Sequence, residues 1–338
     1  MEKSRTLVVG GTGFLGRYIV DALLGYGHIV TVVSRDTQKA RALFPRKVKV
    51  VACDVGDSAE AWHKIFRKQD NLVFAAGVDE RVPPQGDPLA FYRSENVDAV
   101  RKVLEAAADS GIKRVALLNS IFSTLDRLRP ELGLAKHHSY ITSRVEQRDM
   151  ALATARGKFT MTVIEVPWVF GHARGSESQW GPLIQFARTS PKLFAPRGGT
   201  VVISAANVGR ATAGAIEYAK RSSATPVGDA WLSWEALLTG LAEACGRPDV
   251  SVVRVPDKLL VQFNEMSGFW QRLFRLRSGL DYGRMYDFLL DETPVNVAAS
   301  QKRLHYGTSD IAVALAETAA DVPESRAMRA LRGLMSTA

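Results

Sequence analysis

Cysteine is scarce in this chain, and long apolar runs are missing from it. Its 338 residues include two cysteines, Cys53 and Cys245, which lie far apart in the sequence. Two isolated cysteines make neither a disulfide framework nor a zinc-ligand pattern, and such usage is typical of a reducing compartment. No segment approaches the roughly 20 apolar residues that a membrane-spanning helix needs, and the N-terminal residues lack the apolar length of a signal peptide. We therefore expect a cytoplasmic protein with no integral membrane segment.

The positive charge of the chain is spread out and not clustered. Lys and Arg outnumber Asp and Glu by 44 to 35, which gives a formal net charge of +9. A basic cluster and a recognition motif are the usual signs of nucleic-acid binding, so we expect no nucleic-acid partner. A phosphate-rich ligand explains part of the excess. The histidines show no metal-site spacing, and we interpret His137 and His138 as a solvated loop pair.

Short apolar runs alternate with amphipathic segments in the first half of the chain. The helical spacing predicts helices over 17–24, 37–43, 59–67, 95–110 and 140–155, and the apolar runs predict strands over 6–9, 29–33, 46–52, 71–75, 114–118 and 159–166. Continuous apolar strands separated by helices are typical of an α/β fold with a doubly wound parallel sheet.

Three glycines stand where the first strand meets the first helix. Gly10-Gly11-Thr12-Gly13-Phe14-Leu15-Gly16 gives G-x-x-G-x-x-G at this junction. Residues without a Cβ permit a tight turn and a close approach of pyrophosphate to the backbone, while the helix N-terminus offers free N–H groups and a partial positive charge. Within a β-α-β unit the motif indicates a dinucleotide bound by a Rossmann-type domain. The expected ligands in this turn are Gly10, Thr12, Gly13, Phe14, Leu15 and Gly16.

The end of the second strand bears on which dinucleotide binds. NAD binders commonly carry an acidic residue there for the ribose 2′-hydroxyl, whereas an Arg accommodates a 2′-phosphate. Ser34 and Arg35 occupy this position, so we favour NADP over NAD. Asp36 is the alternative ribose ligand if the register differs by one or two residues.

Beyond Pro167 the pattern changes to loops, with a strand predicted over 201–204 and a helix over 208–220 that Asn207 caps. From residue 221 the pattern is irregular and mixed. We expect a Rossmann domain over 1–171, to which 201–220 returns, and a smaller mixed C-terminal substrate-binding region formed by 172–200 and 221–338. A homodimer is compatible with this organisation, which does not fix the oligomeric state.

Several segments together resemble the extended short-chain dehydrogenase/reductase family and its NAD-dependent epimerase/dehydratase-like members. The glycine turn is similar to the family's cofactor loop, Asn96-Val97 to the start of its central helix, and residues 298–307 to a segment near the end of its members. Asp54-Val55 is similar to the family's pair at the adenine, Ala75-Ala76-Gly77 to its turn beneath the ribose and phosphates, and residues 166–171 to its segment beside the nicotinamide. The resemblance implies cofactor contacts from Asp54, Val55, Ala75, Ala76, Gly77, Pro167 and Val169.

The same resemblance implies a catalytic Ser, and a Tyr and Lys four residues apart on one helix face. Here Ser120 matches the Ser, with Ser123 as the alternative, and Tyr140 matches the Tyr. Tyr140 would be the general acid or base, and its pKa must fall below about 10 for the second role. The fourth position is Arg144 and not Lys. Both Tyr140 and Arg144 are expected to contact the cofactor.

Arg144 leaves two outcomes open, because Arg and Lys are not interchangeable at such a site. Either the pair Tyr140 and Arg144 retains the chemistry, which we favour, or the chain binds cofactor with altered or no redox activity. Val166 is a second departure, because many sugar-nucleotide members carry Arg immediately before Pro167.

We therefore expect an NADP-dependent oxidoreductase that reduces a ketone or aldehyde, or oxidises the alcohol, of a small apolar or aromatic substrate. Trp168, Phe170 and Trp180 hint at such a substrate. The alternatives are a sugar-nucleotide epimerase or dehydratase and a non-catalytic NADP-binding subunit or sensor. The basic, aromatic segment 269–277 fits a partly buried amphipathic helix, which we favour over a membrane-surface helix or a lid.

Overall fold

Twelve strands and fifteen α-helices make up the described part of the chain, residues 3–175 and 178–323 of a computed structural model. The strands are β1 (Arg5–Val9), β2 (Ile29–Ser34), β3 (Lys49–Ala52), β4 (Asn71–Phe74), β5 (Arg114–Ser120), β6 (Thr160–Val166), β7 (Trp168–Phe170), β8 (Lys192–Ala195), β9 (Gly199–Ser204), β10 (Ser223–Pro226), β11 (Ala230–Ser233) and β12 (Ser251–Arg254).

The α-helices are α1 (Phe14–Gly25), α2 (Thr37–Leu43), α3 (Ala59–Phe66), α4 (Pro88–Arg93), α5 (Ala99–Asp109), α6 (Phe122–Leu128), α7 (Leu134–His137), α8 (Ser139–Thr154), α9 (Gly181–Thr189), α10 (Ala205–Tyr218), α11 (Trp234–Ala244), α12 (Asp257–Leu273), α13 (Tyr286–Leu289), α14 (Ala298–Leu304) and α15 (Ile311–Asp321). A π-helical turn, Ser94–Asp98, joins α4 to α5, and short 3₁₀ turns cover Pro130–Leu132 and Tyr282–Arg284.

Seven parallel strands form the main sheet in the order β10-β6-β5-β4-β1-β2-β3. The order in which the strands are added to the sheet reverses at β1, which pairs in parallel with both β2 and β4. The apolar side chains of these strands are buried because helices cover both faces, as in other parallel sheets. The predicted doubly wound α/β fold is confirmed.

Two small sheets lie in the second half of the chain. The strands β11, β9 and β7 form one of them, and β12 pairs in parallel with β8 in the other. The helix α10 packs on α1, and β10 extends the main sheet. The predicted substrate-binding region over 221–338 includes residues 324–338, which lie outside the described residues, as do 176 and 177.

Three local expectations were wrong. The cap of α10 is Ser204, whose Oγ accepts a hydrogen bond from the N–H of Asn207 at 3.1 Å, so Asn207 lies inside the helix and does not cap it. The predicted helix over 95–110 begins with a π-helical turn that continues from α4. The described residues beyond 221 include regular elements, because their apolar faces find partners that are distant in sequence.

The helix α12 exposes most of its aromatic segment. Asn264 and Gly268 are buried, but Phe269 is 54 % and Trp270 is 45 % exposed. The helix that the pattern indicated is therefore buried only along one narrow face. No helix in the described ranges combines the length and apolar character needed to cross a bilayer.

The helices α1 and α10 touch through their backbones at Gly209. A Cβ at this position would lie 2.5 Å from the carbonyl oxygen of Tyr18, a distance that real Cβ atoms do not show. The missing side chain lets α10 approach the helix that follows the glycine turn. Gly209 therefore fixes the position of α1 against the second half of the chain.

We predict that Gly209→Ala lowers the free energy of unfolding by about 1–3 kcal/mol, because the added methyl group pushes two buried helices apart. Gly25→Ala is the matched control, since it lies at the end of α1 with no atom within 4 Å of its Cβ position. In a helix the change from Gly to Ala stabilises by up to about 1 kcal/mol. Urea unfolding of both variants checks this, and equal stability of the two would contradict it.

Candidate active site

A cleft of about 520 Å³ opens at the carboxyl ends of β1, β4, β5 and β6. Ligands bind at this edge of open α/β sheets, where the strand order reverses. The cleft brings together twelve of the residues that the sequence singled out: Gly13, Phe14, Leu15, Gly16, Ala75, Ala76, Gly77, Ser120, Tyr140, Arg144, Pro167 and Val169. Gly10, Thr12, Ser34, Arg35, Asp54 and Val55 do not line it, and the last four lie at or just beyond the ends of β2 and β3.

The glycine turn has no room for a side chain at Gly10 or Gly16. Gly10 has a φ of 79°, and its Cβ would lie 2.7 Å from the backbone of Ala75 and Ala76. A Cβ on Gly16 would lie 2.1 Å from the carbonyl oxygen of Gly10. The turn therefore brings β1, the start of α1 and the end of β4 into backbone contact.

The start of α1 suits an anion. Gly13 caps the helix in an extended conformation and provides no side-chain cap. The next residues, Phe14, Leu15 and Gly16, line the cleft, and the first N–H groups of a helix have no partner within it. These N–H groups and the helix dipole fit a pyrophosphate, so the residues present suit a dinucleotide.

The three side chains at the end of β2, Ser34, Arg35 and Asp36, make different contacts. Asp36 caps α2, and its Oδ1 accepts the N–H of Lys39 at 2.9 Å. The hydroxyl of Ser34 donates to the carbonyl oxygen of Asp36. Arg35 is 85 % exposed, and its Nε lies 3.5 Å from Oδ2 of Asp54. An exposed ion pair of this kind is weak, so the guanidinium of Arg35 is available to an anionic ligand.

Tyr140 lies near the start of α8 with its ring buried against two aromatic side chains. The ring of Tyr92 stands edge-on at 5.6 Å, and that of Phe122 at 6.5 Å. Burial raises the pKa of Tyr140, while the Arg144 cation and a hydrogen bond with Ser120 act in the opposite direction. The sequence predicted a lowered pKa, and the net direction is the reverse because the ring is removed from water. The phenol therefore holds its proton at neutral pH.

Arg144 lies one turn further along α8 and is also buried. Its guanidinium carbon stands 5.1 Å from the centre of the Tyr140 ring. Nη2 donates to the carbonyl oxygen of Val78 at 2.8 Å, and Nη1 donates to Oε1 of Gln147 at 3.1 Å. Its buried Nε is among the described polar atoms without a partner. Arg144 thus joins α8 to the turn that follows β4.

A network of three amide side chains, Asn96, Asn119 and Gln147, holds Arg144 and Val78 in place. The sequence motifs did not predict this network. Asn96 exchanges hydrogen bonds with the backbone of Val78 in both directions. Asn119 donates to the carbonyl oxygen of Arg144 at 3.0 Å and to Gln147 at 2.7 Å. Gln147 donates to the carbonyl oxygen of Asn96 at 2.6 Å. Asn96 belongs to the π-helical turn, and such turns are frequent at functional sites.

Ser123, the alternative to Ser120, has another role. It is fully buried, it does not line the cleft, and its hydroxyl donates to Oε1 of Glu165 at 2.6 Å. Thr124 donates to the second oxygen of the same carboxylate, and Arg127 contacts both. The cleft thus contains Ser120, while Ser123 helps to satisfy a buried charge.

An apolar wall lines the cleft beside Tyr140. It consists of side chains from β7, the loop before α9, the start of α6 and the segment 280–289, namely Phe122, Trp168, Trp180, Leu280, Met285, Phe288 and Leu289. The sequence pointed to Trp168 and Trp180 but not to the segment 280–289, which carries no motif and reaches the cleft only through the fold. Phe170 packs on Trp180 at 4.7 Å and does not line the cleft.

The interpretation of His138 as a solvated loop residue was wrong. His138 is buried, and its Nδ1 accepts the N–H of Asp281 at 3.0 Å. Burial lowers the pKa of His138 to about 4. The neutral ring therefore fastens the segment 280–289 beside Tyr140, whose N–H donates to the carbonyl oxygen of Gly279. His137 is exposed, as expected.

Two known proteins are similar to this chain over part of its sequence. An isoflavone reductase homolog of Lupinus albus is 34 % identical over 115 residues, which cover 34 % of this chain and 36 % of that protein. UDP-glucose 4-epimerase of Neisseria meningitidis serogroup C is 26 % identical over 124 residues, which again cover 34 % of this chain and 36 % of that protein. The matched stretches thus span about a third of these relatives.

The similarity to solved structures extends over most of the chain. The crystal structure of a nucleoside-diphosphate-sugar epimerase from Pseudomonas aeruginosa has a TM-score of 0.68 and 16 % identity, with 95 % of this chain and 97 % of that chain covered. At this identity the likeness concerns the fold. The family model of the NAD dependent epimerase/dehydratase family matches residues 6–188. The chain belongs to the NAD dependent epimerase/dehydratase family.

Proposed function

We propose that this chain is an NADP-dependent oxidoreductase that reduces a ketone or aldehyde, or oxidises the alcohol, of a small apolar or aromatic substrate. The observation that carries the proposal is the cleft itself. Ser120, Tyr140 and Arg144 line it between the glycine turn and the apolar wall. The likeness to an isoflavone reductase homolog supports a reductase.

The glycine turn, Ala75, Ala76 and Gly77 would hold the dinucleotide. When bound, the reduced cofactor supplies a hydride to the carbonyl carbon. Tyr140 keeps a proton on Oη and donates it to the carbonyl oxygen, which becomes the alcohol oxygen. The Ser120 hydroxyl donates a hydrogen bond to the same oxygen and polarises the carbonyl. Arg144 orients Tyr140 and lowers the cost of its phenolate, while the apolar wall excludes water.

A nucleotide-sugar epimerase or dehydratase is the second candidate, and the likeness to UDP-glucose 4-epimerase supports it. Of the seven side chains in the apolar wall, four are pure hydrocarbon, two are tryptophans and one is a methionine, so the wall offers few hydrogen bonds to a sugar. That composition favours the reductase. Turnover of a nucleotide sugar without net consumption of NADPH would reverse the preference.

Tyr140→Phe removes only the phenolic oxygen, so we expect it to lower kcat for NADPH-dependent reduction of aryl and alkyl ketones by about 100-fold or more, as for the loss of a general acid. NADPH oxidation at 340 nm across a panel of carbonyl compounds measures it. Tyr92→Phe is the matched control, because Tyr92 is buried beside Tyr140 and its hydroxyl bonds to the carbonyl oxygen of Val82.

Full activity of Tyr140→Phe would contradict the mechanism. If no carbonyl compound is turned over while NADPH raises the melting temperature, the chain is a non-catalytic cofactor-binding subunit or sensor. That third candidate rests on the commitment of Arg144 to Val78 and Gln147.

Removing the charge of Arg144 should move the pH dependence of alcohol oxidation. The cation lowers the pKa of Tyr140 against the effect of burial, so Arg144→Gln raises that pKa and shifts the alkaline-rising limb of kcat/KM to higher pH. Arg144→Lys keeps a cation and serves as the matched variant, with its limb closer to that of the wild type. Identical limbs in all three proteins would show that this charge does not act on Tyr140.

The preference for NADP rests on Arg35, because Asp36 is engaged as a helix cap. We expect Arg35→Ala to raise KM for NADPH about tenfold, the effect of losing one charge-assisted hydrogen bond, while KM for NADH stays within twofold. Arg41→Ala is the control, since Arg41 is an exposed arginine on the neighbouring helix α2 and has no predicted cofactor contact. An unchanged KM for NADPH in Arg35→Ala would contradict the preference.

A further inference from the structure

The exposed apolar surface of the chain is concentrated on one helix. Of the twenty exposed large apolar side chains in the described ranges, eight lie between residues 259 and 276. Five of them follow the spacing 4, 3, 4, 3 along α12 and are between 45 % and 58 % exposed: Leu259, Phe263, Met266, Trp270 and Leu273. This spacing places them on one face of a helix. We call these five residues the α12 face.

The opposite side of α12 is the part that packs on the protein. A Cβ on Gly268 would lie 2.6 Å from Cα of Gly283, so the helix rests directly on the 3₁₀ turn. Gln271 donates to the carbonyl oxygen of Leu280 and accepts the N–H of Tyr282. These contacts anchor the helix, and therefore the α12 face points away from the body of the protein.

Charge around the face is positive. Residues 251–277 contain five basic side chains and two acidic ones, and Arg272, Arg275 and Arg277 lie together at the C-terminal end. Asp257, one of the two acids, already lies 3.6 Å from Arg197. Two copies of this chain that met through the α12 face would bring like charges together, whereas an anionic surface would attract them.

We propose that the α12 face binds the surface of an anionic lipid bilayer, with α12 lying in the plane of the interface. Apolar side chains enter the boundary between headgroups and acyl chains, while Arg275 and Arg277, which follow the helix, contact lipid phosphates. Trp270 and Phe269 suit the boundary because aromatic rings prefer it. The binding needs no reaction in the cleft, so it holds whether or not the proposed activity does.

Cosedimentation of the full chain with vesicles tests the proposal. We expect binding to vesicles of phosphatidylglycerol and phosphatidylcholine, little binding to phosphatidylcholine alone, and weaker binding in high salt. Phe263→Ser with Trp270→Ser should weaken binding at least about tenfold, because two large side chains lose their burial in lipid. Phe186→Ser with Val313→Ser, two exposed apolar residues on α9 and α15, is the matched control and should bind as the wild type does.

A second pair tests the charge independently of the apolar side chains. Arg275→Glu with Arg277→Glu should abolish the preference for phosphatidylglycerol, whereas Arg67→Glu with Lys68→Glu makes the same change of net charge on another exposed segment and should retain it. The proposal is overturned if the wild type stays in the supernatant with anionic vesicles. It is also overturned if the α12 variant binds equally well, or if sedimentation velocity shows that this variant only splits a dimer.

Discussion

The backbone contact at the glycine turn is the constraint on which the site depends. The Cβ that Gly16 lacks would lie 2.1 Å from the carbonyl oxygen of Gly10, and the one that Gly10 lacks would meet the backbone after β4. Both contacts place the N-terminus of α1 directly beside the ends of β1 and β4. The cleft forms there because three backbone segments converge with no side chains between them. The close packing of Gly209 on α1 then holds the helix in place from its outer side.

The site also depends on the network of buried hydrogen bonds around Arg144, beside Tyr140. An Arg at the position of the family's Lys brings five N–H groups into a buried region, and each needs a partner or costs free energy. Val78 and Gln147 supply two of those partners, and Asn96 and Asn119 hold Val78 and Gln147 in turn. The guanidinium thus gains two hydrogen-bond partners in this buried region, while its Nε has none among the described residues. This explains how the cation can act on Tyr140 while also joining α8 to the turn after β4.

Local signals made much of the site predictable. The glycine turn, the strand end at Ser120 and the spacing of Tyr140 and Arg144 depend on short stretches of sequence, and the fold that they indicated is confirmed. The direction of the Tyr140 pKa was not predictable, because it follows from burial by Tyr92 and Phe122. Nor was the role of Ser123 on α6, since its partner Glu165 lies on β6 and is distant in sequence. The cap of α10 was missed by one turn because Ser204 and Asn207 are both good capping residues.

The segment between α12 and α13 connects the two apolar features of the molecule. Leu280 and Met285 of this segment line the cleft, while Gln271 and Gly268 of α12 contact it from the other side. The segment therefore links the α12 face to the apolar wall through a few contacts. His138 holds the same segment from the other side by accepting the N–H of Asp281. Since burial lowers the pKa of that ring to about 4, the ring is neutral near pH 7, and its hydrogen bond holds the segment beside Tyr140.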